Sequence, residues 1–312
     1  MTTVTRLGVF ALGLAAVFGA AFGVGRVVDP ADPVAQSRPD VTRTSGPTPR
    51  GEAADLVPGG LLVSDRGYTL QPVTAPAGEF AFRIDGPDGR PVTRYDVAHD
   101  KRMHLIVARR DLSGFRHVHP ELAPDGTWRV PTPLAGAGQW RAFADFTPTG
   151  GEPLTLGVDV AVPGELTERA LPAPATSTTV DGYTVTLAGT PQPGRTSPLT
   201  LTVHRDGRPV TDLEPYLGAY GHLVALRRGD LAYLHVHPDG TPGDGRTAPG
   251  PAVTFHAEVP SAGTYRLYLD FRHGGRVHTA EFTVVAGADP AATGEPTPTG
   301  GADHGTPGHG HD

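Results

Sequence analysis

The chain has 312 residues, a formal net charge of −7, 42 glycines, 33 prolines and no cysteine. That length suits two domains of ordinary size. The missing cysteine excludes a disulfide framework, a thiolate metal site, a cysteine nucleophile and an iron–sulfur cluster, and a mildly acidic chain without a basic cluster argues against a nucleic-acid partner.

In chain order, the first feature is Leu7 to Gly25, an uncharged, mostly apolar run with Arg6 before it and Arg26 after it. About 20 apolar residues span a bilayer, so residues 1–26 are expected to form a transmembrane anchor or a secretory signal, with Ala21-Phe22-Gly23 as the cleavage candidate. Either way the remainder would lie outside the cytoplasm. Residues 27–60 are rich in Pro, Asp, Ser, Thr and Arg without apolar periodicity and are expected to be a disordered linker.

From Leu61 onward apolar residues alternate with polar ones in short runs: Phe80–Ile84, Met103–Val107, Trp140–Ala144 and Leu154–Val158. Asp-Gly, Pro-Asp-Gly and Gly-Gly turns separate them. Residues 61–163 therefore predict a β-sandwich. A short linker follows over 164–176, then a second sandwich over 177–287, with strand-like runs at Leu199–His204, His222–Arg227, Ala232–His237, Val253–Val259, Thr264–Phe271 and Thr279–Val285. Residues 288–312 form a Gly/Pro-rich tail carrying His304, His309 and His311. The expected fold is all-β: two tandem immunoglobulin-like sandwiches after an N-terminal helix.

The second sandwich repeats the first. Gly89–Pro120 aligns without a gap on Gly207–Pro238, offset by 118, with 13 of 32 positions identical. Downstream, GQWRAFADF (Gly138–Phe146) matches GTYRLYLDF (Gly263–Phe271), and the second copy inserts PDGTPGDGRTAPGP, an expected surface loop.

Three histidines fall in register: His104 with His222, His117 with His235, and His119 with His237. A period of two places His117 and His119 on one strand face, with Val118 on the other. The RRDLSGF hairpin can bring His104 opposite them, so three imidazoles could share one ion. His222, His235 and His237 would repeat the arrangement, giving one site per copy. Asp145 and Asp270, also in register, are candidate fourth ligands or acceptors that fix an imidazole tautomer. An all-imidazole set suits copper(II) or zinc, and His304, His309 and His311 would add a weaker tail site. His99, His204, His256, His273 and His278 have no counterpart in the other copy and are read as surface residues. No Gly-rich phosphate loop, GxSxG or HExxH occurs, so no enzyme is expected. The alternatives are an envelope adhesion or scaffold protein with structural histidines, and a mononuclear copper enzyme.

The pattern HLIVARRDLSGFRHVHP, with its later ADF, resembles secreted or membrane-anchored actinobacterial proteins described as heavy-metal binding. YLGAYGHLVALRRGDLAYLHVHP of the second copy is the more typical form. The resemblance implies an immunoglobulin-like sandwich loosely similar to periplasmic copper-resistance carriers. Another envelope metal-handling protein is then the expected partner. The N-terminal histidine ligand of those carriers has no match here.

Overall fold

A computed structural model describes residues 57–76, 78–131, 134–236 and 238–287. Leu7–Gly25 and the tail with His304, His309 and His311 lie outside them. Among the described residues there is no helix, and so none long and apolar enough to cross a membrane.

The first copy contains β1 (Ser64–Asp65), β2 (Tyr68–Val73), β3 (Glu79–Asp85), β4 (His104–Arg109), β5 (Arg116–Val118), β6 (Glu121–Leu122), β7 (Trp128–Pro131), β8 (Gly138–Phe146) and β9 (Leu154–Val162). They form two antiparallel sheets, in the orders β1-β2-β3-β7-β6 and β5-β4-β8-β9. The second copy contains β10 (Ser177–Val180), β11 (Tyr183–Ala188), β12 (Ser197–Arg205), β13 (Arg208–Pro209), β14 (His222–Arg227), β15 (Tyr233–Val236), β16 (Ala252–Ala257), β17 (Gly263–His273) and β18 (Arg276–Ala286). Its sheets run β10-β11-β12-β13, with β16 also on β12, and β15-β14-β17-β18. The fold is thus two tandem immunoglobulin-like β-sandwiches, as the alternation predicted.

Each sandwich has its own core. Leu105, Val107, Trp140, Phe82 and Ile84 belong to the first; Leu223, Ala225, Tyr265, Leu201 and Phe255 belong to the second. A third core lies between the copies. Ile106, Ala108 and Phe143 of the first meet Val224, Leu226, Tyr233 and Tyr268 of the second, with Leu112, Phe115 and Leu231 completing the cluster and Leu171 of the connecting segment packed on it. Strands β4 and β14 of the four-stranded sheets therefore bury both faces. Leu105-Ile106-Val107-Ala108 and Leu223-Val224-Ala225-Leu226 are unbroken apolar runs for this reason, since a strand covered on both sides does not alternate. The sequence reading of one buried face per strand missed this.

Two aromatic pairs fasten the junction. Phe115 stacks on Tyr268 with ring centroids 3.9 Å apart, and Phe143 stacks on Tyr233 at 5.4 Å. Phe115 and Tyr233 are repeat counterparts, as are Phe143 and Tyr268. The two pairs are therefore one contact written twice, the isologous pattern of a two-fold interface. Such pairs contribute about 0.5–1.5 kcal/mol each beyond area burial. The Tyr268 hydroxyl also donates to the Leu112 carbonyl at 2.5 Å.

Residues 57–60, expected within the linker, are ordered and help bind the copies. Gly59 O accepts the Tyr233 amide at 3.0 Å and Gly60 N donates to Thr155 O at 3.0 Å. Gly60 has φ of +72° and lies so close to Phe143 that a Cβ would sit 2.4 Å from its ring, so only glycine fits. The buried guanidinium of Arg141 bonds Gly60 O through Nε at 3.0 Å.

Leu226→Asp puts a charge into the third core while leaving the second copy's own core untouched. We expect one cooperative thermal transition in the wild type and two in the variant, because each sandwich retains its core. A variant that still melts in one step at the wild-type temperature would show that the junction contributes nothing to stability.

Candidate metal centre

His104 opens β4 on the face that carries Ile106 and Ala108, the face turned to the second copy. In the β4–β5 register Ile106 opposes His117, so His117 shares that face, and His119 lies one strand period further on. The three side chains gather where the third core ends. His104 Nδ1 is 3.0 Å from His117 Nε2 and 3.3 Å from His119 Nε2. One ligand atom from each lies within 4.8 Å of the others. Nitrogens around a four-coordinate ion with bonds near 2.0–2.1 Å sit roughly 3.3 Å apart, so the spacing fits a shared ion.

The outer nitrogens decide the tautomers. His104 Nε2 lies 3.0 Å from the Ala98 carbonyl oxygen. His117 Nδ1 lies 3.0 Å from Asp270 Oδ2. A carbonyl and a carboxylate only accept, so these two nitrogens carry the hydrogens. In the neutral rings His104 Nδ1 and His117 Nε2 then face each other with lone pairs. Two lone pairs at 3.0 Å repel unless a cation, proton or metal ion, sits between them. Hydrogen-bonding the outer N–H of a ligating imidazole is the usual way to aim its other nitrogen.

His119 is pushed down to about 3 by burial first, then by His117, His104 and the Lys101 ammonium. It is therefore neutral across the ordinary pH range, as a ligand must be.

Asp270 takes one of the two roles expected of it, that of acceptor, but for the other copy's histidine. Its Oδ1 is held by Thr279 Oγ1 at 2.6 Å, and its side chain is 6% exposed against 2% for His117. Asp145, paired with His104 in the β4–β8 register, accepts from the Tyr233 hydroxyl of the second copy at 3.2 Å. Burial and that carboxylate raise the Tyr233 hydroxyl well above its ordinary value. The convergent group contains neither carboxylate.

In the second copy His222 is buried, and its Nε2 lies 2.8 Å from the carbonyl of Tyr216, the repeat counterpart of Ala98. The side chain of His235 and all of His237 lie outside the described residues.

Sequence comparison missed His99. Its ring lies 6.0 Å from that of His104 and 5.8 Å from that of His222. It sits with Asp100 in a tight turn, at φ of 48° and 60°, closed by reciprocal Ala98–Lys101 backbone bonds of 2.8 and 3.0 Å. Its counterpart is Leu217, so a search for matched histidines passes over it. Left-handed residues other than glycine are uncommon, and the turn fixes the Ala98 carbonyl that anchors His104. A cavity of ≈ 350 Å³ opens beside it, lined by His99, Lys101, His104, Asp145 and Tyr233 among others. His278, expected at the surface, is instead buried at 5% exposure and bonds Asp181 through Nδ1 at 2.8 Å. His273, also expected there, bonds Asp212 through Nε2 at 3.1 Å. His256 is exposed, as expected.

Residues 67–164 and 178–288 match the family described as a domain of unknown function, DUF8832. The chain belongs to that family and carries its domain twice. No curated protein shows significant similarity to it. Among solved structures, it is similar to a two-domain fibronectin type III segment of chicken tenascin, at 8% identity over 69% of this chain and 95% of that one, with a TM-score of 0.20. A Corynebacterium diphtheriae protein described as membrane anchored matches at 10% identity over 74% and 61%, TM-score 0.20. A DUF3823 family protein from Bacteroides uniformis matches at 14% identity over 63% and 93%, TM-score 0.20.

In the metal-free protein, His119 titrates near 6.5 when unfolded and near 3 when folded. Below 6.5 the unfolded chain binds more protons, so stability should fall as pH drops from about 6.5 towards 3. His119→Gln should flatten that fall. Urea unfolding at pH 7 and pH 4.5 measures it; identical pH dependence in the two proteins would refute the assignment.

Proposed function

We propose that this protein is an extracytoplasmic, non-enzymatic metal binder, tethered to the membrane or secreted, that holds copper(II) or zinc for buffering, delivery or resistance. The observation that carries the reading is the pair of imidazoles whose outer N–H groups are fixed by Ala98 O and Asp270, so that their lone pairs meet at 3.0 Å with His119 alongside. A divalent ion there would relieve the repulsion and complete the site. Neutral imidazoles suit borderline ions such as copper(II) and zinc. Met103, next to His104, is buried in the first sandwich's own core, which argues against a thioether-based copper(I) site. Zinc or copper would be cargo, and another envelope metal-handling protein would be the exchange partner. His222, His235 and His237 would hold a second ion, and His304, His309 and His311 a weaker one.

Calorimetry on the purified protein should show tight zinc or copper(II) binding whose affinity falls below about pH 6, where free imidazoles protonate. His117→Ala with His119→Ala should remove one event, and His235→Ala with His237→Ala another. Replacing His304, His309 and His311 should leave both. If neither ion binds, the histidines are structural and the adhesion or scaffold reading takes over.

Topology is tested separately. A reporter fused to the C-terminus should be active only outside the cytoplasmic membrane. Activity inside the cell would end the extracytoplasmic assignment.

A further inference from the structure

We propose that the His104–His117–His119 centre is completed only when the two domains dock, with Asp270 as its positioning residue, so that metal occupancy and domain docking form one coupled equilibrium. This rests on the metal reading above and adds its regulation.

The argument begins with where the carboxylate comes from. His117 belongs to the first copy and Asp270 to the second, 153 positions along the chain. Asp270 is set within its own sheet before any docking: it opposes Thr279 in the β17–β18 register and is held by that hydroxyl at 2.6 Å. It lies two residues after Tyr268, on the same strand face. His117 likewise lies two residues after Phe115. The Phe115–Tyr268 stack at 3.9 Å and the His117–Asp270 bond at 3.0 Å are successive rungs of one ladder. The apolar rung fixes the separation at which the polar rung forms.

Undocked, His117 would lose its acceptor. Its ring could then rotate or exchange tautomers, and the Nε2 lone pair would no longer be aimed at His104 and His119. Docked, the carboxylate grips Nδ1 and a metal ion grips Nε2 of the same ring. Linkage makes the effect reciprocal. The factor by which docking raises metal affinity is the factor by which metal raises docking. Metal release would then follow domain separation without any change in the three ligands themselves.

The test uses the intact protein and zinc with a competing chelator. Asp270→Ala should weaken zinc binding roughly 10–100-fold, the usual effect of removing a partner of a ligating histidine. Asp270→Asn, nearly isosteric and still able to accept the N–H, should lose less, on the order of tenfold. Near-UV circular dichroism checks that the variants are folded; if Asp270→Ala is not, Asp270→Asn decides. Hydrogen exchange supplies the reciprocal readout. Zinc should slow exchange in both β4 and β14 of the wild type, but only in β4 of Asp270→Ala. A side chain that merely stabilises the junction would lower the melting temperature and leave the zinc affinity of the folded molecule unchanged, which overturns the proposal. So does zinc protection that stays within β4 in the wild type. If the wild type binds neither zinc nor, in the same assay, copper(II), the metal reading itself fails and takes the coupling with it.

Discussion

Most of the architecture depends on one demand: two β-sheets must bury their outer faces. A sandwich needs only its inner faces covered, and the outer face of an antiparallel sheet normally meets water. Here β4 and β14 carry Ile106, Ala108, Val224 and Leu226 on the outer side, fully or almost fully buried. Removing such side chains from water is worth about 1.5–3 kcal/mol for each large one, and most of their cover comes from the facing copy. The two copies meet because each leaves an apolar stripe the other can fill. The result is the symmetry of a dimer inside a single chain.

The candidate centre follows from that meeting. An antiparallel register that turns Ile106 and Ala108 to the junction also turns His104 there, since they share a parity on the strand. Its partners follow through the hairpin. The stripe is apolar along its length and polar at this end, where the imidazoles collect. Away from water, a fixed acceptor on each outer nitrogen has more electrostatic effect than it would in solvent. Ala98 supplies one from a strained turn in the same copy, and Asp270 supplies the other from across the junction. Neither could be assigned by strand periodicity alone.

The sequence held much of this in plain view. Duplication, strand positions and the first histidine trio could all be read from matched residues and a period of two. The junction was present as well, in the unbroken runs Leu105–Ala108 and Leu223–Leu226, which a half-exposed strand would not show. Alternation elsewhere drew attention away from them. Pairing between copies was not legible, because a repeat alignment relates Asp270 to Asp145 and says nothing of its neighbour His117. His99 was hidden by the same method: it faces Leu217 in the alignment, and a rule that looks for retained residues discards the ones that differ. His278 was misplaced for that reason too, being unmatched yet buried against Asp181.

One difference between the aromatic pairs reaches beyond packing. Phe115 has no hydroxyl, whereas its counterpart Tyr233 has one, and that hydroxyl is donated to Asp145. Asp270, in the matching place, can receive no hydroxyl from Phe115, and accepts from His117. Two identical chains could not have made this distinction, since any change in one would appear in both. Joining the copies end to end freed each half to vary alone. The molecule keeps the shape of a symmetric pair, yet Tyr233 brings to one carboxylate a phenol that Phe115 cannot bring to the other, which gives the junction a direction.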